Sequence, residues 1–275
     1  MKNNILLIFA AAITLSWSPA KKNLRPFPAK KERNIIVLCD ISKSIDDNVS
    51  ARNAVRNRFK DMINQCQSIL TAYPPNTTFS FFFISRNGNA APFARLTSEE
   101  VNDNNGRAMM EKFEKCKAWL STSINKRSAD PESQSCVLTS IESAYITLRG
   151  LSAGKRIEPS EIIVISDMVE VCWASPVDTL VMNVKNGKYI LSPKAMNKIR
   201  SYHSNMNFDS LKIGLKILFN AGVMDIKKEK QLEDTWRVIL GRYGYKYALD
   251  PNHQLFLTNF SFQKDSYYVN KNLNF

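Results

Sequence analysis

Residues 34–44 read NIIVLCDISKS, an apolar run that ends directly in one acidic residue and two serines. A continuous apolar, β-branched run is typical of a central strand of a parallel sheet, which is buried on both faces. The D-x-S-x-S that follows places the carboxylate of Asp40 and the hydroxyls of Ser42 and Ser44 at the carboxyl end of this strand. Ligands of open α/β sheets bind at this end, so the loop is the first candidate for a site.

Similar strands alternate with helical patterns along the rest of the chain. Further strands are predicted at residues 77–84, 91–96 (returning antiparallel), 161–166, 211–219 and 255–258. Apolar residues at helical spacing predict helices at residues 46–73, 98–120, 137–148, 193–203 and 229–243, with a polar loop at 121–135 and Gly150 ending the third helix. This alternation predicts an α/β fold: a doubly wound, mostly parallel central sheet flanked by helices.

The connection over residues 170–209 is long for a compact domain and is interpreted as an insert. Asn186-Gly187 lies between alternating flanks, which predicts a β-hairpin. The helix over 193–203 follows it, so the insert is of the hairpin–helix type.

The ends of the chain differ from this domain. Residues 1–20 combine Lys2, a short apolar run and a small-residue site before position 21, which predicts a signal peptide and export to a periplasm or out of the cell. Residues 21–33 are read as a basic linker, 34–258 as the domain and 259–275 as a C-terminal tail. The apolar run is shorter than the roughly 20 residues of a membrane span, and none is expected in the mature chain.

A second carboxylate and a third hydroxyl are expected at the same edge of the sheet. Asp167 directly follows the strand at 161–166, and Thr139 opens a helix that would run back under this edge. Carboxylate and hydroxyl oxygens are hard ligands, which suit Mg²⁺, Mn²⁺ or Ca²⁺ better than zinc.

These motifs resemble the von Willebrand factor type A family, whose fold is Rossmann-like. The family pattern combines D-x-S-x-S after the first strand, a T-x-I-x-x-A helix start, matched by TSIESA at 139–144, and an aspartate ending a central strand, matched in IIVISDMVE. A tryptophan in the last helix, here Trp236, also resembles family members. Two departures are Cys136-Val137-Leu138 and Met168, where many members have glycine.

The resemblance implies a metal-ion-dependent adhesion site. Ser42 and Ser44 would ligate the ion through their hydroxyls, and Thr139 directly or through water. Asp40 and Asp167 would act mainly through waters, and an acidic side chain of a protein partner would complete the coordination. The function this implies is exported, divalent-metal-dependent protein binding of an adhesion or scaffold type, and not catalysis.

Two alternatives remain open. The formal charge of +13 favours anionic partners, so a basic surface could bind nucleic acid or an anionic polymer beside a structural or degenerate metal site. The same charge also fits simple solubility. A metal-assisted hydrolase is the third hypothesis, although neither histidine is convincingly placed as a general base.

The chain has five cysteines. Cys39 lies within the apolar strand and is expected to be a small buried hydrophobe. Cys136 and Cys172 would both lie on loops near the candidate metal edge, as a disulfide or as two free thiols. His203, in the insert, is expected at the surface.

Overall fold

The structure is a computed structural model that describes residues 32–41, 49–73, 76–84, 91–97, 106–128, 135–152, 160–170, 172, 184–185, 188–189, 193–209, 213–220, 226–250, 252 and 254–257. The signal peptide, nearly all of the predicted linker, the C-terminal tail, Ser42 and Ser44 lie outside these residues. Arg33, predicted to end the linker, instead begins the first strand and is buried.

The strands are β1 (Arg33–Cys39), β2 (Thr77–Phe83), β3 (Ala94–Leu96), β4 (Ser160–Ser166), β5 (Val184–Lys185), β6 (Lys188–Tyr189), β7 (Ile213–Phe219) and β8 (Phe256–Leu257). The α-helices are α1 (Val49–Ala72), α2 (Gly106–Ser128), α3 (Val137–Ser152), α4 (Pro193–Tyr202) and α5 (Ile226–Arg242), and a 3₁₀ turn covers Lys246–Leu249.

Six strands form one sheet in the order β3-β2-β1-β4-β7-β8. All neighbouring pairs are parallel except β2 with β3, which are antiparallel as predicted. The predicted hairpin is also confirmed, because β5 pairs antiparallel with β6 on either side of Asn186-Gly187. The fold is therefore the predicted doubly wound α/β architecture, consistent with a Rossmann-like or von Willebrand factor type A-like domain.

The two faces of the sheet carry separate layers of helices. Alternate strand residues point to opposite faces, so Ile36 and Leu38 of β1 pack with residues of α3, α4 and α5. Ile35 and Val37 pack on the other face with residues of α1 and α2. Burial on both faces explains why β1 and β4 are fully buried along their length.

Two predicted boundaries were wrong. The polar loop predicted at 121–135 is helical as far as Ser128, because Ile124 continues the apolar stripe one turn beyond Leu120 and both are fully buried. Gly150 does not end α3, which continues to Ser152. No helix among the described residues is both long and apolar enough to cross a bilayer.

Candidate functional site

Asp40 and Asp167 follow the ends of two adjacent parallel strands. β1 and β4 are paired with Cys39 opposite Ile165, and the backbone N–H of Asp40 donates a hydrogen bond of 2.9 Å to the carbonyl of Ile165. The two carboxylates therefore leave the sheet at the same carboxyl edge. Thr139 lies in the first turn of α3 and is half-buried.

The carboxylate of Asp40 is fully buried and is held by two hydroxyls. Its Oδ2 accepts hydrogen bonds from Ser166 Oγ at 2.6 Å and from Ser135 Oγ at 3.1 Å. These two hydrogen bonds to one oxygen fix the orientation of the carboxyl group. Ser135 immediately precedes the turn into α3, and Asp40 thus joins three chain segments at the edge.

The loop after β4 is organised by its own side chains. Ser166 Oγ, which donates to Asp40, also accepts the backbone N–H of Met168 at 2.8 Å. Asp167 Oδ1 accepts the backbone N–H of Val169 at 3.0 Å, an Asx-type turn. One oxygen of Asp167 is therefore engaged by its own loop, and its side chain is 2% exposed.

Met168 adopts a left-handed backbone conformation with φ of 58°. A β-carbon makes this region costly, so the backbone at this position favours glycine. The side chain of Met168 is fully buried, and the indole N–H of Trp236 on α5 donates to its carbonyl oxygen at 2.8 Å. Packing and this hydrogen bond hold the loop in its strained form.

The sequence did not reveal the role of Glu170. This carboxylate is fully buried, and its Oε2 accepts the backbone N–H of Leu138 in the first turn of α3 at 3.0 Å. A carboxylate at this place satisfies an N–H that has no partner within the helix and interacts favourably with the helix dipole. An acidic residue three positions after Asp167, in a loop that faces a helix start, is the only signal that the sequence offered.

Cys136 and Cys172 form a disulfide with a Cα–Cα distance of 4.8 Å. Of the two alternatives left by the sequence, the disulfide is the one observed. The bond joins the residue preceding α3 to the chain that follows Glu170. The segments that carry Thr139 and Asp167 are therefore linked covalently as well as through Glu170.

His203 is not at the surface, and this prediction was wrong. The residue is fully buried, and its Nδ1 lies 2.7 Å from Glu142 Oε2, about one turn along α3 from Thr139. Burial alone would raise the pKa of Glu142, but the hydrogen bonds from His203 and from the N–H of Asn205 outweigh it and lower the pKa. The pair fastens the insert to α3, with His203 fully buried and Glu142 partly buried.

The donor set at the edge is made of oxygens. Among the described residues, no three His, Cys, Asp or Glu side chains converge on a point where they could hold a metal ion. An ion here would consequently depend on hydroxyls as well as on Asp40 and Asp167. Thr139 offers one such hydroxyl, and the remaining two expected ligands, Ser42 and Ser44, lie outside the described residues. Carboxylate and hydroxyl oxygens fit Mg²⁺, Mn²⁺ or Ca²⁺.

The residue before Asp40, Cys39, forms a pair of contacting thiols with Cys66. Cys39 is fully buried, as predicted, and its Sγ lies 3.6 Å from that of Cys66 on α1. Burial first, and then the Cys66 thiol and the Asp40 carboxylate, raise the pKa of Cys39 well above its usual value. In its reduced form, Cys39 is therefore a neutral thiol at physiological pH.

No protein-family model matches the chain, and no curated protein matches it either. Among solved structures it is similar to BatB from Bacteroides thetaiotaomicron (14% identity, 68% of this chain, 65% of that chain, TM-score 0.35). It is also similar to the PilB minor pilin from Streptococcus sanguinis (15% identity, 79% of this chain, 56% of that chain, TM-score 0.38). A third similar structure is the pilus adhesin SpaC from Lactobacillus rhamnosus GG (12% identity, 77% of this chain, 27% of that chain, TM-score 0.38). The chain thus spans less than two thirds of each of these structures. These likenesses are too distant to bear on function, and the α/β fold stands on the strand order and pairing described above.

Proposed function

We propose that this protein is an exported binding module of the adhesion or scaffold type, which uses a divalent metal at the carboxyl edge of the sheet to bind a protein partner. The observation that carries the proposal is that Asp40 and Asp167 follow adjacent parallel strands. Thr139 lies in the first turn of α3, whose start is joined to the loop of Asp167 by Glu170 and by the Cys136–Cys172 disulfide. Hard oxygen donors from three separate segments are what a Mg²⁺ or Mn²⁺ site requires.

The residues around the edge would hold such a site in a fixed form. Ser135 and Ser166 orient Asp40, and Glu170 and the disulfide set the start of α3 against the loop of Asp167. When bound, the ion would supply a positive charge and an open coordination position for an anionic oxygen. An acidic side chain of a protein partner is the ligand that suits this position.

Export is supported by the disulfide. Disulfide bonds form and persist in oxidising compartments and are rare in the reducing cytosol. The Cys136–Cys172 bond therefore agrees with the signal peptide that the sequence predicts.

The side chains near the carboxyl edge of the sheet favour binding over hydrolysis. Metal-assisted hydrolysis needs a general base or nucleophile within reach of the ion. Outside the proposed ligand set, Glu170 is engaged with the N-terminus of α3, and His203 is buried against Glu142. These contacts support a structural role for both side chains.

Calorimetric titration of Mg²⁺ and Mn²⁺ into the full chain tests the metal site. We expect saturable one-to-one binding that Asp40→Asn abolishes and Thr139→Val weakens by tenfold or more, a difference of about 1.4 kcal/mol. The matched control is Thr147→Val, two turns along α3, where the hydroxyl is exposed and bonds only to the Ser143 carbonyl. This variant should bind the ion as the wild type does.

Two results would contradict the proposal. The first is a folded wild-type protein that binds neither ion. The second is a partner whose binding survives chelation but falls steeply with salt, because neutralising a polyanion releases its counterions. That second result would favour the alternative of a basic surface that binds nucleic acid or another anionic polymer.

A further inference from the structure

Three cysteines remain outside the Cys136–Cys172 disulfide, and two of them touch each other. Cys39 ends β1, and Cys66 lies on α1, 27 residues later. Both are fully buried, and their sulfurs are 3.6 Å apart. The third, Cys116 on α2, is buried in the same core.

The two sulfurs are in contact at 3.6 Å. A disulfide has an S–S distance of about 2.0 Å, so forming the bond would bring the sulfurs about 1.6 Å closer. Both residues lie on regular elements of one packed layer, a strand and the helix that covers it. The bond would therefore join two residues that already lie in the same core.

We propose that Cys39 and Cys66 form a second disulfide when the chain folds in an oxidising compartment. The bond would fasten the carboxyl end of β1 to α1, directly behind Asp40. The bond would also close a loop of the chain between Cys39 and Cys66, and this loop contains Ser42 and Ser44. This inference does not depend on metal binding, since it rests on the thiol pair alone.

The reaction balances with a small disulfide such as oxidised glutathione. One cysteine thiolate attacks a glutathione sulfur, which breaks the glutathione disulfide, forms a mixed disulfide and releases one glutathione thiol. The second cysteine then attacks the protein-bound sulfur, forms the Cys39–Cys66 bond and releases the second glutathione. Two electrons pass from the cysteines to glutathione, and the two protons end on its thiols. Because both cysteines are fully buried in the fold, we expect the exchange to occur during folding.

Thiol counting on the full chain tests the inference. The reduced, denatured protein is refolded with a glutathione redox couple, and its soluble fraction is denatured without reductant and alkylated with iodoacetamide. We expect one alkylated cysteine, Cys116, and peptide mapping that finds Cys39 joined to Cys66 beside the Cys136–Cys172 link. Cys66→Ala should give two alkylated cysteines, Cys39 and Cys116, with the Cys136–Cys172 bond unchanged.

The same count on protein exported through a bacterial periplasm removes any dependence on refolding in vitro. Three alkylated cysteines, with the Cys136–Cys172 bond intact, would show that the pair stays reduced and would overturn the inference. A link from Cys39 or Cys66 to Cys116 would overturn it too. Neither result bears on the metal titration, so the two proposals fail separately.

Discussion

Trp236 donates its indole N–H to the carbonyl oxygen of Met168 across 2.8 Å, and so joins the last helix to the loop that carries Asp167. Both side chains are fully buried. This hydrogen bond, together with the packing of both side chains in one core, connects α5 with the candidate site. Met168 is also the one described residue other than glycine with a positive φ. The hydrogen bond therefore holds the backbone at a residue whose conformation is energetically unfavourable.

The cost of this conformation can be measured at Met168 itself. We expect both Met168→Ala and Met168→Gly to destabilise the protein, because each removes a fully buried side chain. Glycine should be the milder change by about 1 kcal/mol, because it has no β-carbon to strain a left-handed residue. Urea unfolding of the three proteins measures both effects. If alanine were the more stable variant, as it is in helices, the backbone at 168 would not be strained.

We expect the Cys136–Cys172 disulfide to contribute both to stability and to ion binding. Replacing Cys136 and Cys172 together by serine should lower the free energy of unfolding by about 2–4 kcal/mol, since the bond restricts the unfolded chain. It should also weaken Mn²⁺ binding, because Thr139 and Asp167 would lose a covalent link between their segments. The control is reductant: when both proteins are reduced, the wild type and the double variant should unfold at the same urea concentration. A double variant with wild-type stability before reduction would show that the bond contributes nothing.

Glu142 should make stability depend on pH. Its pKa is lowered in the folded protein from a usual value of 4.5, so the unfolded chain takes up its proton first as the pH falls. The stabilisation is therefore complete above the usual value and is lost as the pH falls through the lower, folded value. Glu142→Gln should be less stable than wild type near pH 7, and the gap should narrow below about pH 4.5.

The matched control for this series is Glu114→Gln. Glu114 pairs with Lys117 at an exposed position of α2, and such surface pairs contribute little. Its pH profile should follow that of the wild type. A gap between wild type and Glu142→Gln that stayed constant down to pH 3 would mean that charge on Glu142 is not what stabilises the contact with His203.

The central strands could be predicted because their burial is visible in their own local sequence. β1 and β4 are apolar runs, and burial on both faces demands that pattern. The end of α2 was misjudged because the serines and the threonine in its last turns favour loops, and these outweighed the single apolar signal of Ile124. Contacts from elsewhere decide there: Gln67 on α1 donates to Ser121, and Ser121 in turn bonds to the carbonyl of Lys117.

The candidate site likewise combines features that the local sequence encodes with features that depend on distant contacts. Asp40 and Asp167 were found because each follows a strand, and parallel strands end at one edge. Ser166 reaches Asp40 across 126 positions of sequence and Ser135 across 95, and no local pattern encodes such contacts. His203 was misplaced for the same reason, since its partner Glu142 is 61 positions away.

The helix that carries Trp236 ends in a turn that requires glycine. Gly244 has φ of 79°, and a β-carbon there would lie 2.5 Å from Asp209 Oδ2 and 3.1 Å from the Asp209 backbone nitrogen. The left-handed residue allows the N–H of Tyr245 to return to the carbonyl of Leu240 at 3.1 Å, which closes the end of α5.

Alanine should therefore have opposite effects at two glycines. Gly244→Ala should destabilise the protein by about 2 kcal/mol or more, because it adds backbone strain to a steric clash. Gly150→Ala should stabilise it by roughly 0.5–1 kcal/mol, because Gly150 lies within α3 and a β-carbon there meets nothing within 4 Å. Urea unfolding of both variants measures the pair. Equal effects at the two positions would refute the left-handed turn at Gly244, and with it this account of how α5 ends and presents Trp236 to the loop of Asp167.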